Sequence, residues 1–211
     1  VLHSQDHMLP ESLSITHEIG LTASIDILRV VHTPSNPSRS RATRVARGAC
    51  PAEVVAHTDS NFCPGQYLLQ AGFEQGESAA ISFTMPAEAF PVRLDLAEIL
   101  FGTSATVVQT TTEWSIVVYA GIPTNGTVVA EYSSDGVVLP HLVMDPGTTG
   151  TIVQFAIDPT EEDQIFIPDN GSQTITVAFR VDALNLPGSP CISPPPASQN
   201  AFPATDISGL A

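Results

Sequence analysis

Residues 114–144 read WSIVVYAGIPTNGTVVAEYSSDGVVLPHLVM. Three apolar, β-branched runs, Trp114–Ala120, Thr127–Tyr132 and Val137–Met144, are separated by Asn125-Gly126 and Asp135-Gly136. Both dipeptides favour the positive φ angles that close tight hairpins, so the runs read as antiparallel strands.

The same rhythm holds outward from this stretch, from Ala79 to Val181. Ala79–Met85, Val92–Phe101, Thr151–Ile157 and Gln173–Val181 are further predicted strands, and Gln66–Ala71 is a short one. Ile165–Ile167 adds an edge piece ended by Pro168. Pro146-Gly147 breaks the chain before Thr151, and Asn170-Gly171 is another hairpin signal. Asp95–Phe101 also admits a reading as one helical turn. Strands at this spacing need two sheets to bury their apolar sides. The expected fold is all-β: an antiparallel two-sheet β-sandwich, jelly-roll-like, over residues 50–185.

Upstream, Leu13, Ile15, His17, Ile19, Leu21, Ala23, Ile25 and Ile27 alternate with polar residues. That is period 2 over a length well beyond the mean strand, and Gly20 is a natural division. His17 occupies an apolar slot and reads as a core or interface histidine rather than a catalytic one. Residues 1–33 are expected to be an N-terminal extension carrying this long β segment. Residues 34–49, with Pro34, Pro37 and four arginines, read as an exposed linker. Residues 186–211 hold Pro187, Pro190, Pro194, Pro195, Pro196 and Pro203. Proline donates no ladder hydrogen bond, so this tail is expected to be extended chain and neither a central strand nor a helix.

The formal charge is −15, and every basic residue is arginine. Five arginines against four acids leave residues 1–49 at +1, whereas two arginines against 18 acids leave the remainder at −16. Such a surface repels nucleic acid and anionic membranes, and suits solubility or divalent cations. No run of about 18 apolar residues is present, so no membrane-spanning helix is expected. A start at Val1 without a signal peptide reads as a processed chain or a fragment, and a secreted or cell-surface location is expected.

Cys50 and Cys63 bracket a short loop whose closure by a disulfide is worth ~3 kcal/mol in the chain-entropy model. Cys191 is then left over, with its partner in another chain or beyond this stretch, or as a free thiol. Cys-x-x-Cys spacing is absent, which argues against zinc and thioredoxin-type chemistry.

No Gly-x-Ser-x-Gly elbow, Gly-x-Gly-x-x-Gly fingerprint or P-loop occurs. His57, Asp59 and Ser60 are too close along the chain to converge as a hydrolase triad. The densest acidic cluster is Asp158, Glu161, Glu162, Asp163 and Asp169. It is a solvated loop or a calcium site, since calcium takes six to eight oxygens and the cluster offers several. Trp114, Tyr119 and Tyr132 are candidates for stacking on sugar rings, although Trp114 also reads as a core anchor. Asn125-Gly126-Thr127 and Asn170-Gly171-Ser172 are formal glycosylation sequons as well as turns.

The succession GFEQGESAAISFTMP, VRLDLAEILFG, WSIVVYAG, GTVVAEYSS and SQTITVAFRV resembles the jelly-roll-like, carbohydrate-binding-module-like sandwiches of secreted and cell-surface bacterial proteins, over about residues 66–182. The resemblance implies an accessory binding or structural module and not a catalyst.

The expected function is therefore a non-catalytic structural or adhesive module that requires no cofactor. It would associate with itself or with another surface protein. Leu13, Ile15, Ile19, Leu21, Ile25 and Ile27 are candidates for a strand donated to a neighbouring subunit in a fibre or surface layer. The alternatives are an accessory module binding carbohydrate or calcium, and a polysaccharide-active hydrolase.

Overall fold

The computed structural model describes residues 15–18, 28–34, 53–56, 67–134, 139–148, 150–157, 164–189 and 192–206. Among these, the strands are β1 (Ile15–Glu18), β2 (Leu28–Pro34), β3 (Glu53–Ala56), β4 (Tyr67–Leu69), β5 (Ser78–Thr84), β6 (Val92–Gly102) and β7 (Thr110–Ala120). They continue with β8 (Thr127–Ser133), β9 (Leu142–Met144), β10 (Thr151–Ala156), β11 (Ile165–Ile167), β12 (Thr174–Ala183) and β13 (Phe202–Asp206). The protein is an all-β sandwich of two antiparallel sheets.

The first sheet is organised on β6. One flank of β6 carries β11 at Val92–Leu94 and β10 at Leu96–Phe101. The other carries β2 at Val92–Ile99 and β13 at Phe101–Gly102. β1, β3 and β4 pair outward on β10, β2 and β13. The second sheet runs β5-β12-β7-β8, and β9 pairs with the start of β7.

Asp95 is an extra residue in the register with β2, where Val31 faces Leu96 and His32 faces Leu94; on the other flank it marks the step from β10 to β11, and its carbonyl accepts the Ile157 N–H at 2.9 Å. The extra residue is a β-bulge, and it slips the pleat by one. Val92 and Leu94 face the core before it, and Ala97, Ile99 and Phe101 after it. That slip is the physical reason for the helical-turn alternative at Asp95–Phe101, which the structure replaces with continuous strand.

The core lies between the sheets. Phe101 of β6 meets Phe179 of β12 at 4.7 Å between ring centroids, and Phe179 stacks on Trp114 of β7 at 4.8 Å. Leu94, Ile167, Ile175, Leu139 and Leu142 are fully buried around them. Each such side chain contributes about 1.5–3 kcal/mol through the apolar area it removes from water. A smaller cluster of Leu100 and Ala204, with Leu69 and Ile152, packs separately from this core.

Several expected boundaries shift. β7 begins at Thr110, because Thr110 and Thr112 turn inward while Thr111 and Glu113 stay exposed. Of the run Val137–Met144, Leu142–Met144 is strand, while residues 135–138 lie outside the described residues. Asn170-Gly171 does not close a hairpin: β11 pairs in the first sheet and β12 in the second, so the turn carries the chain between layers. Gly171 there has the positive φ, +91°, that the dipeptide foretold.

Strands from both the N-terminal and the C-terminal parts of the sequence join the sheet on β6. β1 and β2 come from the segment read as an N-terminal extension, and β2 runs to Pro34. β13 comes from the proline-rich tail, and lies between β6 and β4 despite Pro203. The expectation that the tail holds no central strand is corrected here, and the reason is geometric. In an antiparallel strand the N and C=O of one residue point the same way. The Pro203 carbonyl accepts from the Gln70 N–H at 2.9 Å, so the missing N–H points toward Gln70, just beyond the end of β4. The ladder to β6 loses nothing.

Candidate functional site

The fold brings one polar cluster together across the second sheet. Ser133 of β8, Ser115 of β7, Arg180 of β12 and Ser78 of β5 lie opposite one another in a single transverse row. One residue to the inside of this row the core begins, so alternation sends these side chains to the other side. Arg180 Nε donates to Asp182 Oδ1 at 2.6 Å, and its Nη2 reaches Glu131 Oε1 at 2.7 Å and Ser115 Oγ at 3.2 Å. Ser115 Oγ is 2.6 Å from Ser133 Oγ and donates to Asp182 Oδ2. The hydrogen bond to Asp182 raises the guanidinium above the ordinary arginine range, with Glu131 adding to it and burial opposing it.

The chemistry of this cluster is that of a clamp. Ser115 is 0% exposed, and Arg180 is held by two carboxylates, so the charges are spent on each other and on fixing three strands in register. Sequence reasoning passed over it. The available signal was Arg180-x-Asp182, two opposite charges on one side of a strand, a spacing repeated at Arg93-x-Asp95, where Nε–Oδ1 is 2.6 Å.

The aromatic candidates do not share a surface. Trp114 is 1% exposed, stacked on Phe179, with its Nε1–H donated to the Pro140 carbonyl at 3.2 Å. Tyr132 is half-buried against Phe155, ring centroids 5.2 Å apart. Tyr119 lies one residue from the inward-facing Val118, and is half-buried on the opposite side of β7.

Of the acidic candidates, Asp169 is described. Its Oδ1 accepts the Gly171 and Gln173 N–H groups, both at 2.9 Å, which shapes the turn into β12. Asp158, Glu161, Glu162 and Asp163 lie outside the described residues, as do Cys50, Cys63 and Cys191. Among the described residues no group of three or more His, Cys, Asp or Glu is arranged to hold a metal ion. A void of about 10 Å³ between the sheets, lined by Ala97, Ile99, Trp114, Val153, Phe155 and Val177, has room for a single water and not for an organic ligand.

Of the donated-strand candidates, Ile15 is placed in β1, opposite Val153 of β10, with Glu18 opposite Thr151. Leu13, Ile19, Leu21, Ile25 and Ile27 lie outside the described residues. No helix among the described residues is long and apolar enough to cross a membrane.

Comparison with known proteins gave no match to a family model, to a curated protein or to a solved structure.

Proposed function

We propose that this chain is a secreted, non-catalytic structural or adhesive module, and that copies join by exchanging the strand at the N-terminal end. The observation that carries this reading is the position of β1. It sits at the rim of the first sheet, paired to β10, and its chain rejoins the sheet as β2 on the far flank of β6. A rim strand reached through a nine-residue connection, 19–27, is exchangeable, because the same residues of a second copy make the same ladder with β10. The charge distribution favours such an exchange. Residues 1–49 carry +1 and the remainder −16, so the N-terminal segment is the part of one copy that an acidic neighbour does not repel.

The test is a deletion of residues 1–18, which leaves β2 on β6. The shortened chain is expected to keep its fold and to lose assembly by light scattering, and a peptide spanning residues 13–27 is expected to bind it. A deleted chain that assembles to the same size as the parent, or a parent that stays monomeric at high concentration, refutes strand exchange.

A further inference from the structure

Two Asn-Gly dipeptides meet at one end of the sandwich, and the fold treats their carboxamides differently. Gly121, at the end of β7, lies against both: a Cβ there would sit 2.5 Å from Asn170 Nδ2 and 3.0 Å from Gly126 Cα. Asn170 is held at every polar atom. Its Nδ2 donates to the Ala120 carbonyl at 2.9 Å, and its Oδ1 accepts the Ser172 N–H at 3.1 Å and the Ser172 hydroxyl at 2.6 Å. The Gly171 N–H beside it donates to the Asp169 carboxylate, which makes that nitrogen harder to deprotonate. Asn125 is exposed, and its side chain makes no hydrogen bond among the described residues. The Gly126 N–H beside it donates to a neutral carbonyl, that of Ile122.

We propose that Asn125 is a site of spontaneous succinimide-mediated deamidation in the folded protein, and that Asn170 is protected. The Gly126 nitrogen loses its proton and bonds to the Asn125 Cγ, and Nδ2 leaves as ammonia. Water then opens the ring at either carbonyl, leaving an aspartyl or a β-linked isoaspartyl residue at position 125. Glycine lacks the Cβ that would obstruct the attack. The fold also prevents escape by substitution, since a Cβ at Gly126 would lie 2.7 Å from the carbonyl oxygens of both Ala120 and Ile122.

The experiment ages the full chain in mildly alkaline buffer, folded and in urea, and cleaves it after Glu131 to separate the two sites. A one-dalton gain is followed on each peptide, and electron-transfer fragmentation separates the two products. In the folded chain Asn125 is expected to convert at least several-fold faster than Asn170, and in urea the two rates are expected to converge. Equal rates in the folded chain, faster conversion at Asn170, or conversion at neither site without urea overturns the proposal.

Discussion

Trp114 of β7 stacks on Phe179 of β12 with the ring planes 13° apart, and Phe179 in turn tilts against Phe101 of the opposite sheet. Three strands of two layers thus meet in one aromatic column. Phe179→Ala removes the middle ring, and is expected to cost about 3–5 kcal/mol, as large core aromatics do. Trp114 is the chain's single tryptophan, so its emission reports the change directly. The parent is expected to emit at short wavelength and to shift red at a denaturant midpoint that falls sharply in the variant.

Three buried threonines separate a hydroxyl that is used from two that are not. Thr103 Oγ1 donates to the Asp145 carbonyl at 2.6 Å and accepts the Thr148 N–H at 3.1 Å, tying two loops at one end of the sandwich. Thr110 and Thr112 Oγ1 are buried with no partner among the described residues. Thr103→Val is expected to destabilise by about 1–3 kcal/mol, because it strands the buried Thr148 amide, while the Asp145 carbonyl keeps the Thr148 hydroxyl at 2.8 Å. Thr112→Val keeps the shape and removes an unsatisfied group, so it is expected to be neutral or stabilising by about 1 kcal/mol. Chemical denaturation of both variants checks the sign.

Arg180 is the one cation of the clamp on the second sheet, and its side chain is 31% exposed. Arg180→Gln is expected to cost about 0.5–1 kcal/mol, the scale of a partly solvated ion pair. The difference from the parent should shrink in high salt. The folded pKa is raised, so the contribution is fully present below the ordinary arginine range and is lost only above it. The variant's deficit should therefore be unchanged from neutral to mildly alkaline pH. A deficit that disappears over that interval would mean another group is responsible.

Asn200 is 1% exposed and holds the proline-rich segment against the sandwich. Its Oδ1 accepts the Leu186 N–H at 2.9 Å, and its Nδ2 donates to the carbonyls of Leu186 at 2.8 Å and Pro196 at 3.1 Å. Asn200→Ala leaves the Leu186 N–H and carbonyl to find water, while the Pro196 carbonyl keeps the Gln199 N–H at 3.1 Å, at a cost of about 1–3 kcal/mol. The first symptom should be local: proteolytic nicking between Leu186 and Gln199 before any change at Trp114.

The sandwich was legible because its strands alternate and glycine marks its turns, although in the β7–β8 hairpin the positive φ falls on Gly121, at +98°, and not on Asn125-Gly126. What was hidden follows from three physical facts. The bulge at Asp95 changes the phase of the pleat, and a phase change in a short window mimics helical spacing. Pro203 reads as a strand breaker unless its pairing side is known, which depends on β4, more than a hundred residues upstream. The start of β7 is Thr110-Thr111-Thr112-Glu113, whose inward members are hydroxyls rather than hydrocarbons. The Arg180 clamp was written in the sequence as a pair of charges two apart, but Glu131, Ser115 and Ser133 join it only through register. The sugar-stacking set dissolved for the same reason: two of its three rings alternate inward.

β6 has a consequence for how the molecule comes into being. Its ladders recruit β2, from near the start of the chain, and β13, from near the end. In a growing chain β2 is made before β6, but Phe101 and Gly102 on that flank stay uncovered until Phe202 and Pro203 have been made. Loop closure over such separations is slow, and an unfilled edge invites the wrong partner while it waits. β13 thus closes this flank of the sheet last, and a chain cut before Phe202 is expected to refold in lower yield than the full sequence.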